Sequence, residues 1–167
     1  MDKLLKFLKI RRSVRLFQNK TIPKNKLEEI VDAARFAATA RNLQPWEFVV
    51  VTDKGKLSQL AELAENGKFM AQAAACIAVF SLDTKYFLED GSAATCNILL
   101  AATALGIGSC WIAGDKKPYC PQVNALLNVP SGMKLISMVA LGYPQEKNVF
   151  KMMPKRELKG MLHWEKF

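Results

Sequence analysis

Three arginines and a serine stand within five residues near the start of the chain, in Arg11-Arg12-Ser13-Val14-Arg15, which runs on into Leu16-Phe17. A guanidinium stays charged at any physiological pH and presents a rigid fork of donors that matches phosphate oxygens in pairs. The Ser13 hydroxyl adds one more donor. Those residue types at that spacing can seat an anionic ligand. They can equally form a solvated basic turn after an amphipathic helix, and composition alone favours that second reading. The rest of the chain's chemistry has to separate the two.

Most familiar catalytic sets are missing. His163 is the single histidine and stands in the C-terminal tail. A Ser-His-Asp or Cys-His triad would need that tail folded back into a site. The four cysteines, Cys76, Cys96, Cys110 and Cys120, form no Cys-x-x-Cys pair, and with one histidine they make no zinc set. Three of them lie in apolar segments, as small buried hydrophobes do in a reducing compartment. Gly106-Ile107-Gly108 follows a predicted helix and precedes a strand, the reverse of the dinucleotide-binding order, and the third glycine is missing. No Walker motif occurs. An enzyme so short of titrating groups needs a cofactor to carry its reaction. An anion seat and a flat wall of small residues fit a phosphorylated planar cofactor.

The charge distribution supports a local feature. The net charge is +9, and residues 1–26 hold nine lysines and arginines against Asp2 alone, so the remainder is nearly neutral. Such an arm suits a phosphorylated small ligand, nucleic acid or an acidic membrane surface. Sparse aromatics around it argue against a base-stacking platform. No apolar run reaches membrane-spanning length, and the lysine-interrupted N-terminus does not read as a secretory signal. A cytoplasmic protein is expected. At 167 residues, half of them hydrophobic, a single domain over 1–167 with a real core is expected.

The elements that must position the cluster follow from periodicity. Leu4, Leu5 and Leu8 share one face of a helix over 2–9, and the basic stretch leaves it extended. Pro23 opens a helix over 24–38 with the stripe Leu27, Ile30, Val31, Ala34, Ala38. Its end carries the small-sided wall of Ala33, Ala34, Ala37 and Ala38. Strands are predicted at 46–52, 75–81, 108–113 and 135–141, with helices over 54–66, 85–105 and 121–128. Thr39 to Pro45 reads as a loop. Helices alternating with short buried strands give a central sheet covered by helices. The tail beyond Gly142 carries aromatics without a partner in its own chain, which suggests that it embraces a second subunit.

With these motifs in place, the chain resembles the nitroreductase family of FMN-dependent oxidoreductases. Arg11-Arg12-Ser13-Val14-Arg15-x-Phe17 resembles the family's opening motif. Ala37-Ala38-Thr39-Ala40-Arg41-Asn42-Leu43-Gln44-Pro45-Trp46-Glu47-Phe48 resembles its second, and Leu105-Gly106-Ile107-Gly108-Ser109-Cys110-Trp111-Ile112 its third. Leu141-Gly142-Tyr143-Pro144 and Lys155-Arg156 complete the order, so the similarity spans nearly all of residues 8–167. Each motif alone is weak; in order and at fitting spacings they are specific.

The resemblance implies an α+β fold, an α-β-α sandwich around a mixed or antiparallel sheet, with the C-terminal arm exchanged between the subunits of a homodimer. It implies tightly but non-covalently bound FMN at the subunit interface. It also implies electron transfer from NADH or NADPH to a planar acceptor (a nitroaromatic, quinone or enone) by ping-pong hydride transfer. By similarity, Arg11, Arg12, Ser13 and Arg15 hold the FMN phosphate and ribityl chain, and Lys155 and Arg156 join the phosphate from the tail. Asn66 hydrogen-bonds the pyrimidine edge. Ala38, Thr39 and Ala40 come from the other subunit and lie against the flavin. Asn42 serves either the flavin or the turn. Trp111, Ile112, Ala113 and Gly114 lie beside the isoalloxazine, with a backbone N–H near Ala113 and Gly114 facing flavin N5. No side chain is assigned as catalytic. Where the family often has Pro-Ser, this chain has Ala38-Thr39: the hydroxyl is kept, while loss of the proline frees the loop. Other readings are dehalogenation, flavin modification, a ferredoxin-type electron donor, FMN storage or sensing, and a basic arm that binds nucleic acid or lipid.

Overall fold

A computed structural model describes residues 3–167. Helix α1 spans Lys3–Ile10, and the remaining Asp2 of the expected helix lies outside the described residues. Leu5 and Leu8 of its apolar stripe are both about half exposed; the side chain of Leu4 is outside the described set. The core elements are α2 (Lys24–Ala34), β1 (Trp46–Val51), α3 (Lys54–Leu63), β2 (Ala75–Leu82), α4 (Phe87–Ala104), β3 (Gly108–Ala113), α5 (Cys120–Leu126) and β4 (Met133–Gly142). Short 3-10 turns cover 40–42, 65–72 and 158–160.

The four strands form one sheet in the order β1-β2-β4-β3, and every neighbouring pair is antiparallel. Strand alternation then sorts the core into two layers. Cys76, Ala78 and Phe80 of β2 join Met138 and Ala140 of β4 under Leu57, Leu60 and Ala61 of α3, with Met70 and Val123 beside them. Ala75, Ile77 and Val79 join Val139 and Leu141 under Leu27, Ile30 and Ala34 of α2 and Ile98, Leu99 and Ala102 of α4. The result is the α+β sandwich expected from the sequence, with the sheet wholly antiparallel. No helix among the described residues is long and apolar enough to cross a membrane.

Most boundaries fall within two residues of the sequence reading, and two helix ends fall three or more short of it, for physical reasons. The helix expected over 24–38 ends at Ala34. Phe36 N–H and Ala37 N–H bond three residues back, to Ala33 and Ala34, which tightens the last turn. Thr39 is extended, with φ −143° and ψ 143°. Alanines 37 and 38 would continue a helix on propensity alone, and tertiary contacts of the next loop override them. Likewise α3 stops at Leu63 and passes into the 3-10 turns of 65–72, where a helix to residue 66 was expected.

The basic stretch is stitched along the sheet. Val14 N–H donates to Ser109 O at 2.9 Å, Gln18 N–H to Tyr143 O at 2.8 Å, and Gln145 N–H to Leu16 O at 3.1 Å. Val14 and Phe17 are buried. They can be so only because Gly108 and Gly142 lack side chains: a Cβ at Gly108 would sit 2.9 Å from Val14, and one at Gly142 2.6 Å from the Phe17 ring. The apolar residues of the stretch are anchors that fix where its arginines emerge.

Candidate functional site

The hydrogen-bond parity of β3 decides which of its backbone groups are free. In an antiparallel pair, alternate residues point N–H and C=O toward the partner strand and away from it. Gly114 N–H donates to Ile136 O of β4 at 3.0 Å, while Ser109 O accepts from Val14 on the opposite side. The β3–β4 register is unbroken from Gly108–Gly142 to Ala113–Ser137. Residues 109, 111 and 113 therefore turn their N–H and C=O groups to the outer edge of the sheet. Val14 covers the edge at Ser109, the Ala113 carbonyl accepts from the Tyr119 hydroxyl, and the edge is open at Trp111 and at the Ala113 N–H. Of the two backbone groups expected near flavin N5, the Gly114 N–H is already used within the sheet, and the Ala113 N–H is the one that faces outward. Gly114 is needed for another reason: its Cβ would lie 2.5 Å from Leu135 O.

A cavity of about 590 Å³ lies against this open edge, within the range of about 300–1,000 Å³ typical of small-molecule sites. Arg15, Asn66, Trp111, Ile112 and Ala113 all line it. So do Phe69, Cys110, Lys117, Tyr119 and Gln122, which the sequence did not single out as ligand contacts. The Arg15 guanidinium lies over the Phe69 ring, 5.7 Å from its centre, and Tyr119 donates its hydroxyl proton to Ala113 O. Burial pushes the Tyr119 hydroxyl pKa up, with the neighbouring Cys120 adding to it.

Cys110 reports how the basic cluster is placed. Burial pushes its thiol up, and the Arg15 guanidinium, a hydrogen bond with Ser13 and the Arg11 guanidinium pull it down, in that order. Arg11, Ser13 and Arg15 all act on this thiol, and Ser13 is bridged to Ser109, the residue before Cys110, so the basic stretch runs beside this part of β3. Among the described residues, no carboxylate forms an ion pair with Arg11, Arg12 or Arg15. A cationic cluster without an acidic partner, next to an open strand edge and an aromatic wall, accepts an anion with a planar body. The donor set fits a flavin phosphate.

The other expected residues are elsewhere. Ala38, Thr39, Ala40 and Asn42 do not line this cavity; their loop is fastened to α4 through Asp90, which accepts from the Thr39 hydroxyl at 2.9 Å and from Ala40 N–H at 3.0 Å. The Thr39 hydroxyl expected for the flavin therefore gives its proton to Asp90. Lys155 and Arg156 are exposed in the tail, where Arg156 donates to Gly160 O at 2.9 Å. The sequence reading does not single out Asp90, because beside Glu89 in the first turn of α4 it looks like an ordinary helix-start carboxylate. Tyr119 and Phe69 carried no signal, because nothing in spacing shows that the 65–72 and 117–122 segments meet over β3.

The profile of the nitroreductase family matches residues 8–81 and 61–143. The chain belongs to that family. A candidate NADH dehydrogenase/NAD(P)H nitroreductase of Archaeoglobus fulgidus is 36% identical, over 100% of both chains. The crystal structure of a nitroreductase-family protein of Bacteroides thetaiotaomicron, also a candidate NADH dehydrogenase/NAD(P)H nitroreductase, superposes with a TM-score of 0.93 at 29% identity, covering 100% of this chain and 99% of that one. An FMN-dependent nitroreductase of Clostridium difficile gives 0.88 at 31% identity, with 98% and 99% coverage. Within this nitroreductase fold, the sandwich carries the arginine stretch at one edge, and the open half of β3 continues that same edge.

Proposed function

We propose that the protein is a cytoplasmic FMN-dependent oxidoreductase, one domain over 1–167, that works as a homodimer and passes electrons from NADH or NADPH to a planar electrophile such as a nitroaromatic, quinone or enone. As a nitroreductase-family member it is an oxidoreductase, and FMN is the family's cofactor. The observation that carries the reading is the unspent Ala113 N–H on the open edge of β3, in the same cavity as Arg15.

Arg11, Arg12, Ser13 and Arg15 would hold the phosphate and ribityl chain, and Asn66 the pyrimidine edge. When bound, FMN supplies reversible two-electron chemistry between a nicotinamide donor and an acceptor. The chain's contribution is electrostatic: a fixed backbone donor at Ala113 costs no reorganisation when negative charge builds on the ring. Phe69 and Trp111 exclude water from the walls. Lys155 and Arg156 would complete the phosphate clamp from the partner's tail. The β1 strand has one edge free, beside a groove of about 880 Å³ walled by Ile22, Leu27, Val31 and Val50, and this is where an exchanged arm would find apolar surface and backbone partners.

Anaerobic titration tests the reading. The purified protein is expected to be yellow and to bleach on addition of NADH or NADPH, then recolour with a quinone or nitroaromatic. A flavoprotein that neither nucleotide bleaches would sink the nicotinamide assignment and favour storage or a ferredoxin-type donor. Recolouring by a halogenated aromatic alone would favour dehalogenation. Colourless protein that takes up no FMN but binds DNA or anionic vesicles would return the arginines to a surface patch.

Ala113→Pro is a sharper probe. Its N–H is outside the sheet's ladder, and proline is tolerated at such edge positions. The variant is expected to fold, and to lose about tenfold or more in the rate of flavin reduction, the worth of roughly 1.4 kcal/mol at the transition state. Rapid-mixing reduction kinetics read this out; an unchanged rate would remove Ala113 from the site.

A further inference from the structure

We infer that Asp90 is a positioning residue that acts on the active site of the partner subunit, by locking the loop of residues 39–44. The inference rests on the proposed FMN dimer and goes beyond it.

The loop is improbable by itself. Arg41, Asn42 and Gln44 all sit at positive φ, at 55°, 55° and 49°. Asparagine tolerates that region, whereas arginine and glutamine populate it rarely. Such backbone persists only when its surroundings over-determine it. Asp90 supplies the constraint. It is 4% exposed and stands in the first turns of α4, where the helix dipole favours a carboxylate. One oxygen accepts the Thr39 hydroxyl at 2.9 Å and the other accepts Ala40 N–H at 3.0 Å. The Thr39 oxygen in turn accepts Gln44 N–H at 3.2 Å, and Gln44 Nε2 donates to Asn42 Oδ1 at 3.0 Å. One buried carboxylate thereby fixes both ends of the loop.

A second consequence concerns Thr39. A hydroxyl has one proton, and here it goes to Asp90. The Thr39 hydroxyl is thereby committed to the loop itself, and Thr39 acts as a spacer held at fixed depth. This is how a chain with Ala38-Thr39 keeps its flavin-facing loop in shape without a proline.

The test uses the FMN-loaded full-length dimer. Asp90→Asn and Thr39→Val are each expected to weaken FMN roughly tenfold, about 1.4 kcal/mol, and the double variant is expected to be no weaker than about threefold beyond either single one, because both break one linked unit. Thr39→Ser is expected to bind as wild type does. Asn97→Ala removes an equally local bond, from Asn97 Nδ2 to Ala33 O at 3.0 Å, and is expected to lower the melting temperature without changing FMN affinity. The decisive arm is a co-expressed mixed dimer, one subunit carrying Asp90→Asn and the other Arg15→Ala. If Asp90 serves the partner's flavin, one site is fully wild type and the other doubly impaired, so half the wild-type flavin content is retained at limiting FMN. If it serves its own subunit's flavin or only general stability, both sites are impaired and the mixed dimer retains no more than its parents; that result overturns the inference while leaving the flavin reading intact. Wild-type protein that binds no FMN overturns both. Should Asp90→Asn fail to fold, the same mixed dimer with Thr39→Val gives the same two outcomes.

Discussion

Replacing Arg15 by alanine is expected to weaken FMN binding by roughly tenfold to a hundredfold, because a hydrogen bond to a charged group contributes about 1.5–3 kcal/mol. Arg15 is the cluster residue that both lines the cavity and acts on Cys110. It is exposed in the single chain and, among the described residues, no carboxylate pairs with it, so its removal costs the fold little and the ligand much. Arg15→Lys keeps the charge and loses the planar fork, and is expected to fall between wild type and alanine. The loss should shrink as salt is raised, since screening reduces the term that was removed. Lys20 is the control: it is equally basic but stacks on Tyr143, 4.5 Å from the ring centre, and Lys20→Ala should leave FMN affinity unchanged. Equilibrium dialysis or flavin fluorescence quenching measures both. Equal, small losses for Arg15→Ala and Lys20→Ala would mean that the arginines act only through net charge, and the phosphate seat would be wrong.

The sequence made the sandwich and the cluster legible because both are written in local patterns. The stripe Leu27-Ile30-Val31-Ala34 and the apolar strands 75–81 and 135–141 declare their burial by spacing and are found in the two core layers, whereas Ala38, expected to continue the stripe, is exposed beyond the end of α2. The end of α2 was not legible. Ala37 and Ala38 are good helix formers, and the helix stops before them because Asp90, fifty residues later, captures Thr39 and Ala40. A contact between α4 and a loop leaves no mark in the local pattern of either. The choice between Ala113 and Gly114 was hidden for a related reason. Motif position alone places both near the ring; only the pairing of Gly114 with Ile136 shows which N–H is spent. The wall formed by Phe69 and Tyr119 depends on two irregular segments meeting, which periodicity does not describe.

The tail is where the single chain is least complete, and it carries the largest expected effect. Removing residues 150–167 is expected to convert a dimer into a monomer at micromolar concentration and to abolish FMN retention. Every residue from Lys151 to Phe167 is exposed, including Met152, Leu158, Met161, Leu162 and Trp164, the last at 79%. The contacts they make in their own chain are local, such as the His163 ring stacked on Phe167 at 4.3 Å between centres. A run of large apolar side chains left in water on a chain of this size marks an interaction surface. Fully burying each contributes about 1.5–3 kcal/mol, so even after the cost of association, on the order of 4–15 kcal/mol, several of them together suffice for a stable dimer. The same segment carries Lys155 and Arg156, and the flavin would lose those cations along with the partner's loop at residues 39–44. Sedimentation equilibrium and the flavin-to-protein absorbance ratio read the two effects separately. A truncated protein that stays dimeric would place the interface elsewhere and make the tail dispensable to assembly. A truncated monomer that still holds FMN would show that Arg11, Arg12, Ser13, Arg15 and the open edge of β3 are a complete site within one chain. The expected result is the loss of both together, because Arg15 lines the cavity beside β3 whereas the loop of residues 39–44 and Lys155 and Arg156, proposed to complete the site, do not line it in the same chain.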